Sequence, residues 1–424
     1  MASLDIDQVR SSFPALKSGY LFGDNAGGSQ TLQSVIDRIT DYLSNTNVQL
    51  GADYLVSVQS TQRVADGAVA AAQLFNAASS DEVAMGPSST MLFENLARAL
   101  ENEIQAGDEL IITGEHEANN GGWKRLAVRR GAIVKVWHAT PTDPNNPYSV
   151  SLKVEELLPL ISNKTRVIAF TACSNILGSV VPVEEIVKAA RQHAKEQGVK
   201  KLEISVDCVA YGPHRRIDVQ KWDIDYCVFA FYKLYGAHHS ALYVRSPALK
   251  FSLTSLAHHF LQVDDKPYKV QPGGPGYELV YSATAVPAYL LSLTPANDLQ
   301  ASFDAIARHE QTLIKPLITF LTDPKQEAQG VRIVGQSKID LSRVPTVSFV
   351  VVGPKSVKSK DIVAVFDKRG GIGIRYGHFY AYTLVSGLEP KLDAGDGVVR
   401  ISFVHYNTVE EVEKVVEILE EILA

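Results

Sequence analysis

The sequence predicts an α/β fold in which a mainly parallel sheet is covered by helices on both faces, followed by a smaller α+β unit at the C-terminus. Short β-rich runs alternate with helical patterns from about residue 80 to about residue 245. Glycines stand where those helical patterns stop, at Gly107, Gly131 and Gly198. After about residue 290 the alternation gives way to one long helical pattern and then mixed strands and helices.

In chain order the strand candidates are Glu109–Thr113, Ala132–Trp137, Arg166–Thr171, Leu202–Asp207, Tyr226–Phe231 and Ala241–Val244, each apolar and rich in β-branched or aromatic residues. Between them, apolar residues at helical spacing predict helices over Met91–Gln105, Trp123–Arg130, Val154–Ile161 and Val183–Gln197. Pro141, Pro144 and Pro147 make His138–Ser149 a surface excursion. The C-terminal unit reads as a helix at Asp298–Leu321, strands at Val331–Val334 and Thr346–Val352, a helix at Ser359–Lys368, and strands near Ile372–Arg375 and Val398–Phe403. A last helix opens at Thr408 with Glu411 three residues on, a capping-box pattern. The expected division is an N-terminal arm over residues 1–20, a large domain over 21–290 and a small domain over 291–424.

The composition excludes several function classes. With 424 residues, 46% hydrophobic and 21% charged, the chain is too long for a peptide hormone and too apolar for a disordered protein. No run approaches the ~20 apolar residues of a membrane helix. A formal charge of -6 without long basic blocks argues against nucleic acid as a partner. Asp5 and Asp7 near the start, with no apolar core after them, do not resemble a secretory or transit peptide, so a cytoplasmic location is expected. Cys173, Cys208 and Cys227 lie in apolar contexts and form no CxxC pair, so they read as reduced core thiols. The pairs His238-His239 and His258-His259 lack a carboxylate at ligand spacing, and no metal is expected.

Chemistry concentrates between Leu202 and Val244. One strand ends in Asp207, and 26 residues later Lys233 is the sole charge in the run YCVFAFYKLYG. Burying an ammonium costs several kcal/mol unless it is paired or neutralised. Two readings fit: Lys233 carries a Schiff base while Asp207 holds a proton on a pyridine nitrogen, or Lys233 snorkels from a core strand and Asp207 caps a loop. Gly86-Pro87-Ser88-Ser89-Thr90, just before a predicted helix, supplies either an anion site or a simple N-cap.

Taken together, the motifs resemble the class V aminotransferase family of fold-type I pyridoxal-phosphate enzymes, in its cysteine desulfurase-like branch. The matching stretches are Phe22–Gln30, Gly86–Leu100, Glu115–Asn119, Ser174–Gly178, Val206–His214, Tyr232–Gly236 and Val398–Asn407. The resemblance implies a seven-stranded, mainly parallel sheet and a pyridoxal 5'-phosphate cofactor. It implies a small-molecule amino-acid substrate and a homodimer with the active site at the subunit interface. Lys233 would be the Schiff-base lysine, Asp207 the pyridinium partner and His116 the ring stacked on the cofactor. Ser89 and Thr90 would hold the phosphate, with Tyr232 beside Lys233 and His214 as a phosphate or second-layer group. Asn175 would lie beside the ring's 3-oxygen or the substrate carboxylate, and Arg375 would grip that carboxylate. Asn25, Ala26, His378 and Tyr380 would border the substrate.

The sequence departs from the family at several points. Ala210 and Ala230 replace polar cofactor contacts, and Tyr281 and Ser282 stand where relatives place a Gly-Thr pair reaching the partner's phosphate. Arg375-Tyr376-Gly377-His378-Phe379-Tyr380-Ala381 lacks the persulfide cysteine that desulfurases carry on this loop. The expected activity is therefore Cα carbanion chemistry of a lyase, cyclase or transferase kind, without persulfide formation. Tyr235, His238, His259, Tyr277, Tyr281, Tyr376, His378 and Tyr380 predict an aromatic pocket suited to a larger or cationic amine. Decarboxylative carbon–carbon ring closure, as in class V members of loline-type alkaloid pathways, is the alternative within the family. From other classes, a nucleotide-dependent α/β enzyme would rest on Gly371-Ile372-Gly373 alone, and a non-catalytic binding relative would not need Asp207 and Lys233.

Overall fold

The computed structural model describes residues 4–263 and 266–423. Residues 1–3 of the expected arm and residue 424 lie outside the described residues. The main sheet has seven strands, in the spatial order Val83–Gly86, Ser240–Val244, Tyr226–Ala230, Glu203–Asp207, Thr165–Thr171, Glu109–Thr113 and Ile133–Trp137. Ser240–Val244 runs antiparallel to both neighbours and every other pair is parallel. The central strands are buried along their whole length because helices cover both faces, which is why they read as continuous apolar runs. One face packs Phe75, Phe229, Phe231 and Trp137 into a single core, and the other packs Leu92, Phe93, Leu96 and Trp123 into a second.

A second sheet, all antiparallel, orders Val331–Val334, Thr346–Val351, Val398–Ser402 and Arg375–Gly377. The helices Leu299–Leu321 and Val409–Ile422 pack on it through Leu313, Leu317, Val415 and Leu419. The capping box of the last helix is formed, with Glu411 N–H donating to Thr408 Oγ1 (3.2 Å) and Thr408 N–H donating to Glu411 Oε2 (3.2 Å). The N-terminal arm is firmly docked. Phe13 is fully buried against Tyr235, Tyr289, His405 and Tyr406, and Arg10 reaches Tyr406 O (2.7 Å) and Glu411 (2.9 Å).

Three helices differ in their bounds from the sequence reading by more than a residue, one of them simply ending at Leu157 instead of Ile161. The helix expected from Met91 begins at Ser89, because Ser88 is the residue whose Oγ accepts Met91 N–H (3.2 Å), and it ends at Ala99. The helix expected from Trp123 begins six residues earlier, at Glu117, although Asn119-Asn120-Gly121-Gly122 are poor helix formers. Tertiary packing overrides propensity here. A Cβ at Gly122 would stand 3.1 Å from Phe93 O, so the missing side chain lets two helices approach closely.

The loop that follows Thr165–Thr171 meets the second sheet at Gly178, which has φ +67° and whose hypothetical Cβ would lie 2.1 Å from Thr346 O. Neither constraint tolerates a side chain. Gly178→Ala is therefore expected to destabilise the protein by about 3 kcal/mol, measured as a lowered midpoint of chemical unfolding.

Candidate active site

A recess opens at the C-terminal ends of the parallel strands, where ligands collect in such sheets. Its wall comprises Ser89, Glu115, His116, Thr171, Cys173, Asn175, Asp207, Val209, Ala210, Tyr232 and Lys233. Lys233 comes from a tight turn directly after Tyr226–Ala230, closed by Lys233 N–H to Ala230 O (3.2 Å) and Gly236 N–H to Phe231 O (2.8 Å). Ser29 steadies this turn, its Oγ accepting Tyr235 N–H (2.9 Å) and its N–H donating to Tyr232 O (3.1 Å).

Lys233 is 5% exposed and has no ion-pair partner among the described residues. Burial first, and then the Arg400 guanidinium, push its amine down to about 8, against the attraction of Asp207. A tenth or so of such an amine is neutral at pH 7. Asp207 ends its strand with Oδ1 accepting Val209 N–H (2.9 Å), and burial raises its carboxyl to about 6. His116 caps the helix Glu117–Arg130 through Nδ1, which accepts Ala118 N–H (3.1 Å). Burial, with Lys233 and Arg400 adding to it, holds that imidazole down at about 3, so it is a neutral flat ring at physiological pH.

Several predicted site residues lie elsewhere. Thr90 is exposed on the outer side of its helix, because the cap is Ser88 and only Ser89 turns toward the recess. Asn25 is buried with its amide already committed: Nδ2 donates to Phe22 O (2.7 Å) and Ser402 O (3.0 Å), and Oδ1 accepts from Tyr406. The Ala26 N–H is likewise spent on Ser402 Oγ (2.8 Å). His214 faces away, its Nδ1 donating to Glu310 Oε1 (2.5 Å), with Arg215 on the other carboxylate oxygen (2.7 Å). Tyr281 lies under Arg63 (4.8 Å), and Ser282 Oγ donates to Leu279 O (2.7 Å), so neither enters the recess of its own chain. Of the expected aromatic residues, Tyr235 is absorbed in the Phe13 core, and Tyr376 and His378 line an adjoining open groove. Tyr380 leans over His116 at 5.5 Å.

Arg375 is 54% exposed and pairs with Asp24 at 3.3 Å. Arg400, which the sequence reading missed, is 1% exposed. It donates to Asp24 Oδ1 (2.8 Å) and Asn175 O (3.2 Å) and lies 3.7 Å from the Phe379 ring centre. Its charge is felt by both Lys233 and His116. The signal was available: Arg400 is the sole charge in the apolar run VVRISFV, the criterion that singled out Lys233.

Residues 20–415 match the family described as Aminotransferase class-V. The chain belongs to this family. An aminotransferase-like protein of Gibberella zeae, FGM3, is 41% identical over 428 residues, covering 100% of this chain and 99% of the relative. A cysteine desulfurase-like protein of Aspergillus flavus, ustD, is 31% identical, covering 99% of this chain and 91% of the relative. The nonribosomal peptide synthetase-like enzyme fsqF of Aspergillus fumigatus is 30% identical over 98% of this chain, which spans 26% of that relative. The fold matches an apo cysteine desulfurase from Thermococcus onnurineus (TM-score 0.83, 22% identity, 100% and 99% coverage) and CsdA from Escherichia coli (TM-score 0.79, 23% identity, 100% of both chains).

This class V aminotransferase relative is a pyridoxal-phosphate-dependent enzyme, and the recess fits that cofactor. A partner-free buried amine, a carboxyl deep in the wall, a neutral ring and a helix N-terminus bearing Ser89 converge on it. Two buried oxygens, Glu115 Oε1 and Asn175 Oδ1, lack protein partners. The nucleotide-dependent and non-catalytic readings are set aside by the family match. Covalent uptake of pyridoxal phosphate by the cofactor-free protein is expected to accelerate with pH through an apparent pKa of about 8, because only the neutral amine adds to an aldehyde. Lys233→Ala should show no such phase in stopped-flow absorbance, and a pKa near the ordinary lysine value would contradict the geometry.

Proposed function

We propose that the enzyme acts on an α-amino acid by Cα bond chemistry, of a lyase, cyclase or transferase kind, and does not form a persulfide. The observation that carries the second half is the position of Tyr380. It occupies the loop after Arg375, is 67% exposed, and is pinned by its carbonyl to Glu117 N–H (2.8 Å). Phe379 and Tyr380 both adopt left-handed backbone (φ 49° and 61°), a strained arrangement held by Asn175 Nδ2 on Phe379 O (3.0 Å) and by Arg400 over the Phe379 ring. No thiol is on this loop. Cys173 borders the recess, but burial pushes its thiol up to about 12 and its backbone is bridged to Val180. Sulfur attack needs a thiolate that can move.

When bound, the cofactor supplies an aldehyde carbon for the amines and a pyridine ring that withdraws electrons from Cα. Lys233 would hold the cofactor's aldehyde carbon and would serve as the base for the Cα proton, a task its lowered basicity suits. Asp207, with Oδ1 fixed by Val209 N–H, offers its other oxygen to hold a proton on the ring nitrogen. His116 would cover one face of the ring and exclude water from it. Ser89 and the N–H groups opening its helix hold the phosphate. Arg400, preset by Asp24, Asn175 O and the Phe379 ring, orients the substrate carboxylate, and the more exposed Arg375 supports it through the shared Asp24. Tyr281 and Ser282 act in a homodimer, toward the partner subunit's site.

Decarboxylative carbon–carbon bond formation is a second reading, favoured by the aromatic mouth in which His238 stacks on Tyr232 (5.3 Å, 9°) and Tyr380 tilts over His116. Amino acids are screened by the change they cause in the visible spectrum of the holoenzyme. Arg400→Lys is expected to weaken that response on the order of tenfold or more, and Arg375→Lys by less; equal losses would return the carboxylate to Arg375. Incubation with cysteine is expected to yield no protein-bound persulfide by mass spectrometry. Persulfide on any of the three cysteines would sink the proposed chemistry.

A further inference from the structure

One ionisable group in the recess wall has no part in the chemistry above. Glu115 is 3% exposed and lines the same recess as Asp207 and Lys233. Its backbone carbonyl is fixed by Asn120 Nδ2 (3.0 Å). Ser174 Oγ accepts the N–H groups of Ile176 (3.3 Å) and Leu177 (3.0 Å), so its single hydrogen is donated to Glu115 Oε2 (2.8 Å). Oε2 is therefore an acceptor, and Oε1 is buried without any partner.

No cation stands within ion-pair distance of Glu115 among the described residues. The groups facing it are Asp207 at the end of Glu203–Asp207, Lys233 on the turn after Tyr226–Ala230, neighbouring His116, and Cys173, behind which stand Arg215, Glu310 and Arg343. An unpaired carboxylate there would cost several kcal/mol. A neutral acid instead has one O–H to give, and the bookkeeping at Oε2 leaves that hydrogen on Oε1. Burial, partly offset by the Ser174 hydrogen bond and reinforced by the charge of Asp207, raises this carboxyl to about 7.

We propose that Glu115 is a cofactor-contacting residue that stays protonated and donates Oε1–H to an anionic oxygen of the pyridoxal phosphate held in the recess. The proposal rests on that cofactor occupying the site. A protonated acid recognises an anionic acceptor that a carboxylate would repel, so binding and protonation of Glu115 are linked.

The test is a pair of measurements on the full-length protein and Glu115→Gln, whose amide donates a hydrogen but does not titrate. In the first, pyridoxal phosphate is titrated into cofactor-free protein between about pH 5.5 and about pH 8.5 and the dissociation constants are compared as a ratio, which cancels the titrations of Lys233 and Asp207. The ratio of variant to wild type is expected near one on the acid side, falling on the order of tenfold above the Glu115 value of about 7. A ratio flat with pH, or a variant that binds on the order of tenfold more weakly at acid pH with unchanged circular dichroism, overturns the proposal.

The second measurement is the melting temperature of the cofactor-free proteins. A carboxyl raised in the folded state contributes stability present below its ordinary pKa and lost as pH rises through about 7. Wild type should lose stability across that window more steeply than Glu115→Gln, and parallel curves would show Glu115 ionised, contrary to the proposal. Wild-type protein that takes up no pyridoxal phosphate at any pH overturns the cofactor assignment, and the proposal with it, while leaving a distinct melting result.

Discussion

The burial of the Lys233 amine on the turn after an apolar interior strand is the constraint around which the rest of the site is arranged. An ammonium in that position would need a close anion, and the two carboxyls of the recess wall, Asp207 and Glu115, are themselves buried and raised toward neutrality. The three groups thus share a charge problem that no pair of them closes. Arg400 sharpens it, since a second buried cation lowers the amine further. Such an arrangement carries an energetic cost in the cofactor-free protein, and the cost is what makes an amine available as a nucleophile at neutral pH.

The small sheet and the N-terminal segment act on the site through one short chain of contacts. Asp24 pairs with both Arg400 and Arg375, Arg400 reaches Asn175 O, and Asn175 Nδ2 holds Phe379 O. Asn25, beside Asp24, is locked to Ser402, Tyr406 and Asn407. The docked arm and Phe13 press on the same Tyr406 and on Tyr235, next to the lysine turn. Residues far apart in sequence therefore fix the position of Arg400 relative to the lysine turn.

Legibility in the sequence followed the strength of the physical signal. A lone charge inside an apolar run announces itself, as Lys233 does, and Asp207 is legible as the carboxylate that ends an earlier strand. Arg400 carries the same mark and lies in the matching stretch Val398–Asn407, yet the carboxylate role was given to Arg375, which precedes that stretch. Thr90, His214 and Asn25 sit in motifs too, yet their polar groups are turned outward or taken up by partners elsewhere in the protein, and no spacing reveals where a side chain's hydrogen bonds go. The early start of the helix at Glu117 was hidden for a different reason: its Asn and Gly residues lack helix propensity and are stabilised only by close packing on the neighbouring helix.

By itself the sequence determined the alternation of strands and helices, the family, the cofactor and the absence of a thiol from the loop after Arg375, because these depend on residue identity and local periodicity. The tertiary structure decided which arginine is buried behind the lysine, which hydroxyl turns toward the recess, and that Glu115 keeps one oxygen without a partner. Those outcomes depend on desolvation and on the direction of individual hydrogen bonds, which exist only once distant segments are packed together.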